Sequence, residues 1–239
     1  KSHNQGNKSH NQGNKSSEFG LKSKEGVVLV ESLGKQIKRI AWGITGSGDQ
    51  MIETYSILVD IKNKTGVETM VFLSKEGETV MKWYHLWDKI QNDFPNFKVD
   101  AGPNSPFIAG PLQMGYYDFL LIAPATANTV AKIVYGIADT LVTNAVSQTA
   151  KGKTPIFILP VDQKRGTVKT AAPSGRAFEL TMREVDVTNS EKLAQMENIN
   201  VLSSPYDIYD IFGLERPSED ITLKIREQKK KKAKKEAES

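Results

Sequence analysis

The 239-residue chain contains no cysteine. That absence excludes disulfides, thiolate nucleophiles, zinc–thiolate sites and cysteine-ligated iron–sulfur clusters. Histidine is almost as scarce: His3, His10 and His85 are all there is. Without a second histidine near His85, a zinc site lacks its ligands, and His85 reads as a surface or helix-packing residue. No apolar run approaches the ~20 residues a bilayer span needs, and no secretory signal opens the chain, so a cytoplasmic protein is expected. The low-hydrophobicity signature of a wholly disordered chain is missing too, at 38% hydrophobic residues. The length suits one sizeable core and is too short for three ordinary domains.

What is present in excess is positive charge, a formal +4 overall. Its distribution decides its meaning. Residues 1–7 and 8–14 repeat the heptad KSHNQGN, a tag-like or linker-like segment that cannot build a core. Up to Lys24 this end carries five Lys against Glu18, and from Leu223 the other end carries eight Lys+Arg against three Glu. Residues 25–222 are therefore net acidic, at −5. The expected organisation is a disordered tag-like segment over 1–24, one folded domain over 25–222, and a basic, solvated tail over 223–239. An acidic body argues against nucleic-acid binding.

Along that body, short apolar runs alternate with helical periodicity. Residues 36–45 read as a first strand, and 49–63 as a helix with Asp49 as its cap and Gly66 as its exit. Val67–Leu73 reads as a second strand, and Glu78–Asp93 as an aromatic amphipathic helix. Residues 101–111, with three Pro and two Gly, read as a loop. Tyr117–Ala123 and Pro155–Pro160 are nearly continuous apolar runs, as in strands buried on both faces. Helices follow over about 127–136 and 139–150. Thr167–Thr188 alternates differently around Pro173-Ser174-Gly175 and suggests a hairpin or extended arm. Short elements come last, at Lys192–Met196, Val201–Leu202 and Tyr206–Phe212. The pattern predicts a doubly wound parallel α/β sheet.

In such a sheet, ligands bind outside the carboxyl ends of the strands, so three loops matter most. Gly43-Ile44-Thr45-Gly46-Ser47-Gly48 lets a phosphate approach backbone N–H groups at a helix N-terminus, with Thr45 and Ser47 hydroxyls beside it; it has no Walker lysine, and by its residues alone it also fits a tight turn. Ser74, ending the second strand, either reaches the same phosphate or caps a helix. Ala123–Thr129 (APATANT) either points polar groups into the same crevice or is a capping loop. Asp162, Lys164 and Arg165 follow another strand end and face either an anionic ligand or solvent. The Trp83, Tyr84 and Trp87 cluster suits a core or a subunit interface better than a flavin or pterin platform.

Taken together, Gly43–Gly48, Pro124–Thr129 and Gly136-Ile137-Ala138-Asp139 resemble the homo-oligomeric flavin-containing cysteine decarboxylase superfamily. The resemblance covers roughly residues 37–160. It implies a Rossmann-like (flavodoxin-like) three-layer αβα fold that binds FMN between subunits. By motif match, Thr45, Ser47 and Ser74 would contact the FMN phosphate or ribityl chain within the loop formed by Gly43, Gly46 and Gly48. Ala125, Thr126, Ala127 and Asn128 would line the ring and substrate side. Asp162 and Gln163 complete the expected cofactor-binding set.

AWGITGSGDQ, NSPFIAG, PATANTVAKIVYGIADTLVTNAV and PVDQKRGTV resemble more narrowly the archaeal-type flavoproteins, a group that includes the dihydromethanopterin reductases and ferredoxin-dependent archaeoflavoproteins. This likeness runs from about Lys38 to Phe212. Two departures separate the chain from the decarboxylases. Their histidine before the PATANT strand has no counterpart in Phe107–Leu112. Their PxMNxxM clamp is replaced by Pro160-Val161-Asp162-Gln163-Lys164-Arg165-Gly166. The resemblance therefore implies an FMN-dependent oxidoreductase, a homo-oligomer built from trimers, with a ferredoxin-like donor and a pterin or redox-protein acceptor. The alternative is a non-redox FMN enzyme, a phosphopantothenoylcysteine-type decarboxylase or a flavin prenyltransferase. With no cysteine, the electrons must come from outside the chain.

Overall fold

The computed structural model describes residues 36–171 and 176–217. The tag-like segment, the basic tail and the expected turn at residues 173–175 lie outside the described residues. Among the described residues, no helix is long and apolar enough to cross a membrane.

Six parallel strands form the main sheet: β1 (Arg39–Ile44), β2 (Glu68–Leu73), β3 (Phe97–Val99), β4 (Phe119–Ala125), β5 (Ile156–Pro160) and β8 (Ile199–Val201). Their spatial order is β3-β2-β1-β4-β5-β8, the Rossmann order with its switch point between β1 and β4. β4 and β5 are buried along their whole length, which is why their sequences are continuous apolar runs.

Alternate residues of the strands feed two cores. Ile40, Trp42 and Ile44 of β1, with Leu121 and Ala123 of β4, pack under α1 (Met51–Thr65), α2 (Lys75–Trp83), α3 (Trp87–Asp93) and α8 (Asp207–Ile211). Ala41, Phe72, Leu120 and Ile122 face the other way, under α4 (Ala109–Gln113), α5 (Ala127–Val134), α6 (Leu141–Thr149) and α7 (Glu184–Leu193). The result is the three-layer αβα fold that the alternation of strands and helices predicts.

Local chemistry sets the boundaries. α1 buries Met51, Thr54, Ile57, Leu58 and Ile61 on one face and ends at Gly66, whose φ of 71° and N–H to Lys62 O form a left-handed cap. Its start differs from expectation: the cap position is Gln50, at φ 61°, and no side chain caps the helix. The single aromatic helix expected over 78–93 is two helices, because His85 turns the chain at φ 54° between Trp83 and Trp87. His85 is exposed at that turn. β3, only three residues long, is too short to give a periodic signal in the sequence. α4 starts inside the expected 101–111 loop. That loop is pinned to α6: Asp100 accepts from Gly102 N at 2.7 Å and from Leu141 N at 3.0 Å, and Asn144 Nδ2 donates to Pro103 O at 2.7 Å.

The arm is an antiparallel hairpin, β6 (Thr167–Ala171) with β7 (Ala177–Thr181), separate from the main sheet. Its expected reach to Thr188 is cut short by α7, which begins at Glu184. Val168 pairs with Leu180, and Phe178 lies two residues along β7 on the same face.

Candidate functional site at the carboxyl ends of the strands

The carboxyl ends of β2, β1, β4 and β5 are stitched into a continuous rim. Ser74 N donates to Ile44 O at 2.9 Å, Thr45 N to Pro124 O at 3.3 Å, and Val161 N to Ala125 O at 3.1 Å. Trp42, fully buried, donates its indole N–H to Ala123 O at 2.7 Å, fixing β4 just before its polar end. The expected loops after β1, β2, β4 and β5 therefore do meet along one edge, across the switch point.

Within that rim, several side chains take roles that differ from expectation. The Thr45 hydroxyl, expected to donate to a phosphate, is buried and donates to Pro124 O at 2.8 Å while accepting from Thr126 N at 2.9 Å. Its part is to join the loop after β1 to the loop after β4. Gln163 likewise spends its amide on the backbone, donating to Pro160 O at 2.6 Å and Leu202 O at 2.8 Å. It ties β5 to the segment after β8. Ser74 and Thr126 are helix N-caps, accepting from Gly77 N at 3.0 Å and Thr129 N at 3.3 Å. The Ser74 hydroxyl still has its proton to give.

The glycines are explained by close packing. A Cβ on Gly43 would meet Ile122 and Phe72 within 2.7 Å, inside the second core. One on Gly46 would sit 2.5 Å from Glu76 Cβ, where α2 crosses the loop. Gly48 lies against the Tyr84 hydroxyl. Small residues here let the loop lie close between β1 and α2.

The electrostatics of the crevice centre on Asp162, which the sequence marked, and on Asp49 and Asp186, which it did not mark as site residues. Asp162 follows the end of β5 and accepts a hydrogen bond from Ala127 N, the first residue of α5. Burial raises its carboxyl above the usual range, and so do Asp186 and Asp49; Arg183 and the Ala127 N–H pull the other way. Asp49 is also raised, by desolvation and then by Glu53. Asp186 is buried and held by Arg183 through two bonds, of 2.7 and 2.8 Å. Asp49 was visible only as a helix cap, and Asp186 only as one acid in a helix; their convergence on Asp162 is a product of the fold. Asn128 is exposed in the first turn of α5, Ala127 is half-buried and Ala125 is fully buried.

Phosphate-bearing ligands suit this rim. α1 starts with no side-chain cap, and its positive dipole end favours an anion, which would share that end with the carboxyls of Asp49, bonded to Gln50 N, and Glu53. Beside it, Gln50 Oε1 is buried with no partner and calls for a donor such as a sugar-chain hydroxyl. No Lys or Arg stands between Gly43 and Asp49, so an anion would be held by N–H groups and hydroxyls. Among the described residues, no group of acids and histidines is placed to hold a metal ion.

Fold and site together define a Rossmann-type α/β protein with a polar crevice at its switch point. Residues 30–230 match the model of the Flavoprotein family, and the chain belongs to that family. An uncharacterized protein of Methanocaldococcus jannaschii is 50% identical over 170 residues, covering 71% of this chain and 91% of its own. Dihydromethanopterin reductase (acceptor) of Methanosarcina mazei is 30% identical, covering 73% of this chain and 99% of its own. Among solved structures, Burkholderia xenovorans DmrB in complex with FMN, described as a cubic protein cage for redox transfer, has a TM-score of 0.63 and 28% identity. That likeness covers 75% of this chain and 95% of DmrB.

Proposed function

We propose that this chain is an FMN-dependent oxidoreductase that passes electrons from an external ferredoxin-like donor to a pterin, in the manner of a dihydromethanopterin reductase, or to a redox-protein partner. Support for the cofactor comes from membership of the Flavoprotein family, from DmrB, which holds FMN, and from the uncapped α1 N-terminus beside an unpartnered Gln50 Oε1. Support for the reaction comes from the Methanosarcina mazei reductase, matched over nearly its whole length.

When bound, FMN supplies two-electron storage with one- or two-electron release. The chain's own residues bind and orient. Gly48 and the first turn of α1 offer N–H groups to the phosphate, Ser47 adds its hydroxyl, and Ser74 its hydroxyl proton; the Ser47 N–H itself is held by Thr45 O at 2.9 Å. Thr45 sets the distance between this loop and Ala125–Asn128, which form the ring side of the crevice. The observation that carries the reading is this joining of a phosphate-type loop to the PATANT strand end by one buried hydroxyl.

The oligomer follows the same reasoning. DmrB forms a cage, and this chain leaves Trp83, Phe107 and Met114 largely exposed, apolar surface suited to contacts between copies, trimers included. The protein acts in the cytoplasm.

The test is direct. Purified protein should carry FMN, show flavin absorbance, and when chemically reduced be reoxidised by a dihydropterin with one tetrahydropterin formed per flavin. Protein that takes up no FMN, or whose reduced flavin ignores dihydropterins and redox proteins alike, removes the proposal.

A further inference from the structure

Asp162 is held on every side by bonds that do not involve its carboxyl. The preceding residue, Val161, donates to Ala125 O at 3.1 Å. The following residue, Gln163, is tied to Pro160 O and Leu202 O. The carbonyl of Asp162 itself accepts from Ser190 Oγ at 3.1 Å. Its side chain thus projects from a fixed backbone to the start of α5, where the Ala127 N–H meets it.

The groups facing it come from three elements. Asp49 approaches from the loop before α1, the Ala127 N–H from α5, and Asp186 with Arg183 from α7. Asp162 therefore lies beside the loop that leads from β4 into α5, within electrostatic reach of Asp49 at the end of the β1 loop. Thr126 caps α5 through Thr129 N, and the Asp162 carboxyl takes a second N–H of the same helix end, that of Ala127. Burial first, and then the Asp186 and Asp49 carboxylates, make loss of its proton unfavourable, against the smaller opposing pull of Arg183 and the Ala127 N–H.

We propose that Asp162 is the proton donor of this site: it holds a proton beside the cofactor and gives it to the acceptor nitrogen as the acceptor is reduced. The inference rests on the oxidoreductase reading above. Reducing a dihydropterin adds a hydride to the carbon and a proton to the nitrogen of one C=N bond. The two electrons arrive with the hydride from reduced FMN, which is oxidised. The C=N bond becomes CH–NH, Asp162 leaves as carboxylate, and water returns its proton. A positioned acid of this kind contributes roughly 10²–10⁴-fold.

Two measurements on the FMN-loaded full chain test it, with Asp162→Asn, which keeps an acceptor for Ala127 N–H, and Asp162→Glu. The first needs no pterin: the flavin midpoint potential is followed against pH. The wild-type chain should show a bend where Asp162 titrates; Asp162→Asn should lose it and Asp162→Glu should keep it, shifted. The second is the single-turnover rate of dihydropterin reduction. It should fall in the wild type as pH rises through the same bend, and be at least tenfold slower and flat in Asp162→Asn. A potential profile unchanged by Asp162→Asn overturns the proposal, as does an unchanged rate profile. If the wild-type chain reduces no pterin, the substrate reading fails by itself, and the potential profile still decides whether Asp162 exchanges its proton with the cofactor site. Should Asp162→Asn fail to hold FMN, the Asp162→Glu profile decides: a bend at the wild-type pH overturns the proposal.

Discussion

Thr45 is bonded twice to Pro124: its hydroxyl donates to the Pro124 carbonyl at 2.8 Å and its amide to the same oxygen at 3.3 Å. The hydroxyl also accepts from Thr126 N at 2.9 Å, so one buried side chain spans the switch point of the sheet. Thr45→Val keeps the shape and deletes the hydroxyl, leaving the Thr126 N–H without its buried acceptor. The expected loss is about 1–3 kcal/mol in urea unfolding. On the proposed binding mode FMN affinity should fall as well, because the loops after β1 and β4 lose their common reference. Thr45→Ser should retain most of both.

Gly46 and Gly48 look equivalent in the loop but should respond differently to alanine. At Gly46 the new Cβ meets Glu76 Cβ at 2.5 Å and the Glu76 backbone at 3.1 Å, and a helix backbone does not yield easily. At Gly48 the obstacle is the Tyr84 hydroxyl, the far end of a side chain. Gly46→Ala should lower Tm clearly and weaken FMN binding by displacing α2. Gly48→Ala should move Tyr84 and cost less. Thermal unfolding of the two variants side by side checks the order.

The sequence made the sheet legible because β4 and β5 are buried on both faces, so their apolar runs could be little else. The loop after β1 and the PATANT stretch were legible as motifs, and they do meet. What stayed hidden was long-range. Thr45 reads as a phosphate ligand until its partner Pro124, 79 residues away, is seen. Gln163 reads as a polar loop residue until Leu202, 39 residues on, takes its amide. The break at His85 leaves no mark in the sequence because the aromatic periodicity of α2 carries across it into α3, while only the backbone turns.

Asp162 gives stability a defined pH dependence. Its folded carboxyl is raised above the ordinary 3.8, so the native state binds that proton more tightly than the unfolded chain. A raised value contributes stability that is complete below the unfolded value and is lost as pH rises through the folded one. Stability should therefore decline from about pH 4 upward over the range in which folded Asp162 titrates. Asp162→Asn should flatten that decline and, above it, be at least as stable as the wild type. Urea midpoints measured at intervals of pH resolve the difference.

Arg165 holds the base of the β6–β7 hairpin by gripping two residues of α7, Glu184 at 2.7 Å and Glu191 at 2.6 Å. All three side chains are exposed, so solvent screens the pairs and their loss should leave Tm nearly unchanged. The hairpin itself is another matter. A two-stranded ribbon is marginal alone in water, and this one leaves Phe178 and Leu180 uncovered on the face they share with Val168. Arg165→Ala should therefore speed amide exchange in β6 and β7 while β1, β4 and β5 exchange as before. Raising the salt concentration on the wild-type chain should move the hairpin amides the same way, and should add nothing to Arg165→Ala. Equal protection of β6 and β7 in variant and wild type at low salt would show that the hairpin is held by its own pairing rather than by Arg165.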